Sequence, residues 1–386
     1  MPRSALATWS RRLRAWAVDD ALPFWATAGF DAANGRFEER LAIDGDRLSV
    51  PIRLMVQARQ IYVYATAARL GWNPGSTALV ERAFESMVRD FLAPDGKEGW
   101  VFAIDRGGAV VDARRELYAH AFVLLAVASF VQATGQTGRL AIANRTLAFI
   151  DENMRAERGG YLECFPSAGG HRRQNPHMHL LEGLLALWSA SSDERYLQRA
   201  GRVVDLFEAR FFRPSFGALC EYLDDELRPA SGVHGEIVEP GHHYEWIWLL
   251  RWFERETGRP VSPYVDALYA HATEHGFDAD GLIVDELLAD GSCRRASRRV
   301  WPVTEAIKAN VAEARLGRPG AEKRAAALSE RLSTRFLQPA TRGGWIDRLD
   351  QDGNPAVDHM PASTFYHIVC ALHELEGFTT SGGLGA

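Results

Sequence analysis

Apolar residues recur at helical spacing along most of the chain. Near the N-terminus, Trp9, Leu13 and Trp16 fall at positions i, i+4 and i+7, which predicts an amphipathic helix. Longer segments with the same periodicity follow in pairs, as in 117–133 with 139–154 and 177–189 with 196–211. No stretch alternates between strands and helices in the way that predicts a parallel sheet. The pattern therefore predicts a mainly helical protein.

A glycine beside an aromatic or apolar residue recurs six times, at positions 35, 99, 160, 217, 281 and 344. The spacings of 64, 61, 57, 64 and 63 residues indicate six repeated units of about 62 residues. After each glycine, a short alternating segment with turn residues predicts a β-hairpin or extended loop, and two helices follow. Six helical hairpins that close on themselves form an all-α (α/α)6 barrel of about twelve helices, with short β-hairpins in the loops at one end. The alternative is an open α-solenoid, but solenoid repeats are usually shorter.

We expect one barrel domain over residues 1–378 and a flexible Gly-rich tail over 379–386. The formal net charge of −6 and the lack of lysine-rich runs disfavour a nucleic-acid partner. No uninterrupted apolar stretch reaches about 18 residues, so no membrane partner is expected. The four cysteines lie far apart and the N-terminus has no apolar signal core, which favours a cytoplasmic location. We expect a monomer or a homodimer.

One polar residue occupies the same phase of the first helix in each unit. Separated by 59, 61, 63, 63 and 62 residues, these are Arg59, Tyr118, His179, His242, Glu305 and His367. Equivalent positions on the inner helices of a six-fold barrel face the axis at one height, so we expect these side chains to converge in a pocket. Buried ionisable groups at that density require partners or a function, and the pocket is the predicted active site.

The histidine motifs leave a metal alternative open. His177 and His179 form an H-x-H pair, but helical residues two apart point about 200° apart and do not readily share one ion. We therefore predict no metal ion and no cofactor. The helical phase favours His179 over His177 for the pocket and His242 over His243. One turn after His242, Glu245 is predicted to orient its imidazole.

Other side chains near this end of the barrel each have a structural and a functional interpretation. Lys308 lies one turn after Glu305, which predicts a local ion pair unless the lysine reaches the pocket and polarises a substrate oxygen. Aromatic walls commonly stack on sugar rings, although most tryptophans belong to the core; the candidates are Trp246, Trp248, Trp301 and Tyr366. Loop arginines are usually solvated, but four of them are candidates for binding a phosphate or sulfonate group of a ligand: Arg114, Arg115, Arg172 and Arg173.

Five segments together resemble the N-acylglucosamine 2-epimerase superfamily. They occur in order over nearly the whole chain, at 53–59, 175–182, 239–246, 299–305 and 366–367. The resemblance implies the (α/α)6 barrel and proton transfer at C1 and C2 of a reducing sugar, mostly without a metal. It implies catalytic roles for His242, His367 and His179. The predicted substrate-binding residues are Arg59, Tyr118, Asn175, Glu245, Trp301, Glu305 and Lys308.

Residues 301–305 with Lys308 look like the D-mannose isomerase branch of this superfamily, and sulfoquinovose isomerases share the lysine-bearing layout. Cellobiose 2-epimerases tend to carry a second tryptophan where this chain has Pro302. The resemblance thus implies metal-independent isomerisation of D-mannose to D-fructose, with D-lyxose to D-xylulose as a further reaction, through a cis-enediolate. Alternatives are a 2-epimerase of a mono- or disaccharide, a sulfoquinovose-type isomerase, a glycoside hydrolase or lyase using Glu245 and Glu305, and a silent sugar-binding protein.

Overall fold

The computed structural model describes residues 5–380. Helices account for most of this range. In chain order α1 to α13 span Ala5–Trp16, Leu22–Thr27, Leu54–Arg69, Ser76–Phe91, Leu117–Thr134, Leu140–Asn153, Asn175–Ser191, Glu194–Leu206, Pro240–Thr257, Ser262–His275, Val300–Arg315, Ala321–Arg331 and Ala362–Thr380. Short π-helical segments continue α1, α8 and α12 to Ala21, Phe211 and Phe336. The predicted helix pairs are therefore present, with ends displaced by a few residues.

Six helices form a closed inner ring. Each of α3, α5, α7, α9 and α11 packs against the next of these helices along the chain, and α13 packs back against α3. An outer helix covers each inner one: α4, α6, α8, α10 and α12 pack on the inner helix that precedes them, and α1 packs on α13. The contact between α13 and α3 excludes the open solenoid, and the (α/α)6 barrel of about twelve helices is confirmed.

The N-terminal helix completes the last unit, since α1 is the outer helix that α13 would otherwise lack. The hydroxyl groups of Ser10 on α1 and Thr379 on α13 lie 3.3 Å apart. Because α13 continues to Thr380, the first two residues of the predicted flexible tail are helical, which corrects that boundary. The remaining tail residues, 381–386, lie outside the described residues.

Burial separates inner from outer helices and explains their different sequence patterns. Helix α5 is apolar on all sides because other helices cover it on both faces. By length and composition it is the single described helix that matches a membrane span, yet 78% of it is buried in the protein. Helix α8 buries only one stripe, formed by Tyr196, Ala200, Val203 and Val204. Such amphipathic helices form the outer layer.

Short strands occupy the loops at the end where the inner helices begin. Strands β1 to β18 span Phe30–Asp31, Arg36–Phe37, Arg40–Ala42, Ile52–Arg53, Ala103–Ile104, Val110–Asp112, Arg115–Glu116, Cys164–Phe165, Arg172–Arg173, Phe212–Arg213, Ala218–Leu219, Tyr222–Leu223, Ile237–Val238, Glu286–Leu288, Cys293–Arg295, Arg298–Arg299, Arg348–Leu349 and His359–Pro361. The strand before each inner helix pairs antiparallel with a loop strand of a neighbouring unit: β4–β5, β7–β8, β9–β12, β13–β14, β16–β17 and β18–β3. These pairs form a ring that fixes the start of every inner helix.

The predicted hairpins over 100–111 and 345–357 are present, and pairing between units adds to them. The first segment forms the hairpin β5–β6. The second turns back on itself through an antiparallel bridge between Leu349 and Pro355, and its strand β17 also pairs with β16 of the preceding unit. An alternating pattern predicts that a segment is a strand, but not which strand it pairs with. The pattern therefore could not predict the strand pairs between units.

Candidate active site

A cavity of about 940 Å³ opens at the end of the barrel where the inner helices begin. Its floor comes from the first two turns of those helices, and its rim from the ring of strands. Eight of the ten predicted site residues line it: Arg59, Tyr118, Asn175, His179, His242, Glu245, Trp301 and His367. Five of the six in-phase positions of the sequence repeat therefore line this cavity, and Glu305 is the exception.

Each of the three cavity histidines has its Nδ1 atom beside a glutamate oxygen. His179 Nδ1 lies 3.0 Å from Glu182 Oε2. His242 Nδ1 lies 2.9 Å from Glu221 Oε2, and His367 Nδ1 lies 2.7 Å from Glu305 Oε1. A carboxylate accepts from Nδ1–H and fixes the tautomer, which leaves Nε2 of each ring as the atom that exchanges a proton.

His242 is set up to carry a proton at neutral pH. Burial alone would lower its pKa, but the carboxylates of Glu221 and Glu239 outweigh burial and raise the pKa to about 9. The amide of Asn175 lies 3.2 Å from Nε2. Its oxygen Oδ1 has no hydrogen-bond partner among the described residues, so a turned amide would accept from the protonated ring. The site thus stabilises the protonated form of His242.

His367 and His179 have the opposite preference. Burial and the nearby positive charges of Arg59 and Lys308 lower the pKa of His367 well below its usual value. Burial also lowers the pKa of His179 to about 4, despite the hydrogen bond to Glu182. The cavity therefore holds a cationic histidine beside neutral ones, a pattern that separates a proton donor from a proton acceptor.

Glu305 and Lys308 do not line the cavity, which corrects their prediction as substrate-binding residues. Lys308 Nζ lies 2.5 Å from Glu305 Oε2, and both side chains are fully buried behind His367. Burial would lower the pKa of Lys308, but Cys370 and the carboxyl groups of Glu305, Glu245 and Glu182 outweigh burial and raise this pKa above its ordinary value. The local ion pair expected from their spacing is confirmed. Through it, Glu305 is held in place to orient the His367 ring.

Glu245 lines the cavity. Its spacing predicted that it orients His242, and this prediction is wrong. Its Oε1 atom lies 3.9 Å from His179 Nε2, and Glu221 takes the orienting position at His242. Burial and the charge of Glu305 raise the pKa of Glu245 well above its usual value. A carboxyl group with a raised pKa beside the Nε2 atom of His179 is suited to exchange a hydroxyl proton of a ligand.

Arg59 is held in a fixed position beneath the histidines. Its guanidinium donates to the Tyr118 hydroxyl at 2.6 Å and to the Ser363 carbonyl at 3.2 Å. The rings of Phe122 and Tyr366 lie 4.2 and 4.9 Å from its Cζ atom. No described carboxylate lies within ion-pair distance of this arginine. Its charge is therefore available to an oxyanion in the cavity.

Of the four predicted aromatics, Trp301 is the one on the cavity wall. Its ring centroid lies 4.9 Å from that of His242 and 5.9 Å from that of His367. Trp246 is buried and donates to Gln174, and Trp248 packs against Lys308 away from the cavity. The hydroxyl of Tyr366 donates to Glu182. The wall that contacts both histidines is thus a single indole.

The neighbouring histidines have structural roles, as the helical phase predicted. His177 Nε2 accepts the backbone N–H of Tyr161 at 2.9 Å, and His243 Nε2 accepts that of Leu219 at 3.0 Å. His120 makes the same type of bond in its own unit. These imidazoles connect the loops after three of the repeat glycines, Gly99, Gly160 and Gly217, to inner helices.

Three sets of described side chains have ligand atoms within 4.8 Å of one another and the chemistry to hold a metal ion. They are His179, Glu182 and Glu245; Glu221, Glu239 and His242; and Glu245, Glu305 and His367. In every set the histidine Nδ1 is hydrogen-bonded to a carboxylate of that set. In each set, the histidine and that carboxylate are therefore arranged as a hydrogen-bonded acid–base pair.

Sequence reasoning missed two of the three orienting glutamates. Glu182 lies three residues after His179, so helical spacing held a signal for it. Glu221 lies in a loop 21 residues before His242, and no local pattern connects the two. Glu239, which precedes α9 and adds to the charge around His242, was missed for the same reason.

Comparisons with known proteins identify the family of the chain. The family model for N-acylglucosamine 2-epimerase matches residues 35–371. A protein of Rhizobium meliloti (strain 1021) named Mannose-6-phosphate isomerase is 33% identical over 94% of this chain and 96% of its own. D-mannose isomerase of Thermobifida fusca is 29% identical over 89% of each chain.

A solved structure shows the same fold. Cellobiose 2-epimerase from Bacillus thermoamylovorans B4167 superposes with a TM-score of 0.86 at 20% identity, covering 96% of this chain and 99% of that one. The family match covers most of the chain and includes all ten predicted site residues. The protein is a sugar isomerase or epimerase, and it belongs to the N-acylglucosamine 2-epimerase family.

Proposed function

We propose that the protein is an aldose–ketose isomerase that converts D-mannose to D-fructose, and D-lyxose to D-xylulose, without a metal ion. The observation that carries the proposal is the pair of cavity histidines with opposite protonation. His242 is a cation at neutral pH and His367 is neutral, and one indole, Trp301, contacts both. The names of the two mannose-type relatives support the choice of sugar.

The first step opens the sugar ring. In the cyclic form the anomeric hydroxyl must lose a proton and the ring oxygen must gain one. His179 accepts the first proton at Nε2, and the Glu245 carboxyl beside it, whose raised pKa favours the protonated form, donates the second. The product is the open-chain aldehyde, lying against Trp301.

Isomerisation then moves one carbon-bound and one oxygen-bound proton. His367 removes the proton from C2 while His242 protonates O1, which gives a cis-enediol. The same His367 returns its proton to C1 as His242 recovers the proton of the C2 hydroxyl, which leaves a ketone at C2. Negative charge develops on O1 and O2 during both transfers, and the unpaired guanidinium of Arg59 stabilises it. Each acid–base contribution of this kind is worth about 10²–10⁴ in rate.

The site gives less support to a glycoside hydrolase. That mechanism needs two carboxyl groups facing the scissile bond. Of the predicted pair Glu245 and Glu305, the second is fully buried behind His367 and bonded to Lys308. A 2-epimerase uses the same histidines and differs in the face of C2 that regains the proton, so the product decides between the two.

The test is the product formed from D-mannose by the purified protein, followed by chromatography. We expect D-fructose as the first product. His242→Asn and His367→Asn are each expected to reduce the rate at least 100-fold, while the control His275→Asn, on an outer helix, keeps the wild-type rate. D-glucose as the first product, or a histidine variant with more than a tenth of the wild-type rate, overturns the proposal.

A further inference from the structure

A second cavity lies at the opposite end of the barrel, where the inner helices end. Its rim includes residues from their last turns, such as Arg69 on α3, Arg255 on α9 and Arg315 on α11. The cavity encloses about 720 Å³, and small-molecule sites commonly enclose about 300–1,000 Å³. We call it the basal cavity. None of its described lining residues also lines the active-site cavity.

A thin layer of side chains separates the two cavities. Glu182 lines the basal cavity, and its carboxylate is bonded to Nδ1 of His179, which lines the active-site cavity. Trp248 also lines the basal cavity, and the centroid of its ring lies 3.8 Å from Nζ of Lys308, whose ion pair lies behind His367. The basal cavity is therefore a separate compartment beneath the groups that support two histidines of the active site.

The wall of the basal cavity offers aromatic and aliphatic surface. Trp248 and Trp252 lie one turn apart on α9, and their ring centroids are 5.5 Å apart. Leu125 on α5 and Ala186 on α7 contribute aliphatic surface. At the rim, Leu316 is 62% exposed, which is high for a leucine beside a cavity. Such a wall suits a planar aromatic group, because indole rings pack well against other aromatic rings.

The carboxylates of this wall already have partners. Glu254 Oε2 lies 2.6 Å from Arg251 Nη1, and Glu374 forms an ion pair with Arg315. Glu182, the third carboxylate, has the bond to the active-site histidine given above. The negative groups of the wall therefore do not call for a cationic ligand.

The wall groups that lack partners are donors. Arg69 is the one arginine of the wall with no carboxylate of residues 5–380 within ion-pair distance, and it donates to Gln132 Oε1 at 2.9 Å. His373 makes no hydrogen bond within this range; burial lowers its pKa, and the neutral ring keeps one N–H. The indole N–H of Trp252 is buried without an acceptor. Buried donors without acceptors cost free energy, which a ligand with acceptor atoms recovers.

We infer that the basal cavity is a binding site for a small aromatic carboxylate. Its ring packs against Trp248 and Trp252, and its carboxylate accepts hydrogen bonds from Arg69 and His373, which lie on the packed helices α3 and α13. The unpaired charge of Arg69 selects an anion over a neutral molecule of the same shape. The inference is independent of the proposed reaction, since none of these residues touches the active-site cavity.

The first test compares two probes that share a ring system and differ in charge, 1-naphthoate and 1-naphthylmethanol, by calorimetric titration. We expect one molecule of 1-naphthoate to bind at least about tenfold more tightly than 1-naphthylmethanol. This difference should disappear in Arg69→Gln and persist in the control Arg202→Gln, which removes an exposed arginine of α8. Equal binding of the two probes, or an undiminished difference in Arg69→Gln, overturns the inference.

A second pair of variants locates the bound probe. Trp252→Leu removes an indole from the basal wall and should weaken binding of 1-naphthoate at least about fivefold. The matched control Trp301→Leu removes the indole of the active-site cavity and should leave this affinity unchanged. Weaker binding in Trp301→Leu with unchanged binding in Trp252→Leu places the probe in the active-site cavity and overturns the inference.

A shortened chain distinguishes an added ligand from the chain's own C-terminus as the occupant. Residues 381–386 follow Thr380, the last residue of α13, and Gly377 and Phe378 of this helix line the basal cavity. We expect a chain that ends at Thr380 to bind 1-naphthoate with the wild-type affinity. Binding by the shortened chain alone would assign the cavity to residues 381–386, and it would overturn the inference.

Discussion

Replacing Glu221 by glutamine tests whether a loop carboxylate makes His242 the proton donor. Glu221 Oε2 lies 2.9 Å from His242 Nδ1 and also accepts a hydrogen bond from Gln174 at 2.8 Å. Glutamine keeps the size and one acceptor of the side chain but removes its charge. The pKa of His242 should therefore fall, because burial continues to disfavour the charged ring and only Glu239 and the weaker influence of Glu245 still oppose burial.

The size of the effect follows from the shift in the wild-type protein. The pKa of His242 rises from 6.5 to about 9, and at 1.36 kcal/mol per unit this corresponds to about 3 kcal/mol in favour of the cation. Glu221 is the nearer carboxylate and the one that accepts the hydrogen bond. We expect its loss to lower the pKa by at least about one unit, which makes His242 at least half neutral at pH 8.

The assay is the pH dependence of kcat/KM between pH 6 and 10. The wild-type rate should decline as pH rises through about 9, where His242 loses its proton, and this decline should move to lower pH in Glu221→Gln. The control is Glu226→Gln, which removes an exposed carboxylate of the same loop. An NMR titration of the His242 ring, assigned by comparison with His242→Asn, measures the same pKa without substrate. The reasoning is refuted if the basic limb stays at the same pH in Glu221→Gln, or lies near 6.5 in the wild type.

Three further predictions concern stability and metal dependence. Lys308→Met leaves the charge of Glu305 buried and unpaired, so the free energy of unfolding in urea should fall by about 3–5 kcal/mol; a loss below 1 kcal/mol contradicts the buried ion pair. His243→Asn leaves the Leu219 N–H without its acceptor, so the free energy of unfolding in urea should fall by about 1–3 kcal/mol while turnover is retained. Loss of turnover in this variant would instead assign His243 to catalysis. Dialysis against EDTA should leave the rate unchanged, and a loss restored by a divalent ion would contradict the metal-free mechanism.

The stability of the protein should also depend on pH below about 6.5. Seven histidines have a pKa that burial lowers in the folded protein: His120, His177, His179, His243, His271, His367 and His373. Their unfolded forms bind protons first as pH falls, so the free energy of unfolding should decrease, by up to about 1.4 kcal/mol per pH unit for each histidine. His242 has the opposite sign, and its contribution is lost as pH rises towards 9. Equal urea midpoints at pH 7 and pH 5 would contradict these protonation states.

The repeat in the sequence predicts much of the fold and the floor of the site because helical phase survives folding. His179, His242 and His367 share one phase of the inner helices, so they must face the axis together once the ring closes. The repeat glycines have a physical role too. Gly99 and Gly160 have φ values of 81° and 62°, which bulkier residues rarely adopt.

What the sequence did not reveal depends on contacts between units. Glu221 reaches His242 from a loop, and the partner of β17 is a strand of the preceding unit, so neither follows from local spacing. The prediction for Glu245 failed for a related reason. One helical turn brings it to the right height, but the imidazole of His242 turns towards the loop and away from its own helix.

The measurement that tests the central claim most directly is an NMR time course with D-mannose in D2O in the presence of EDTA. Transfer by histidine through an enediol predicts D-fructose as the first product, with deuterium at C1 wherever His367 exchanges its proton with solvent before returning it. Conversion in wild-type protein and its loss in His367→Asn would support the account. D-glucose formed before any D-fructose, or D-fructose formed at an undiminished rate by His367→Asn, would contradict it.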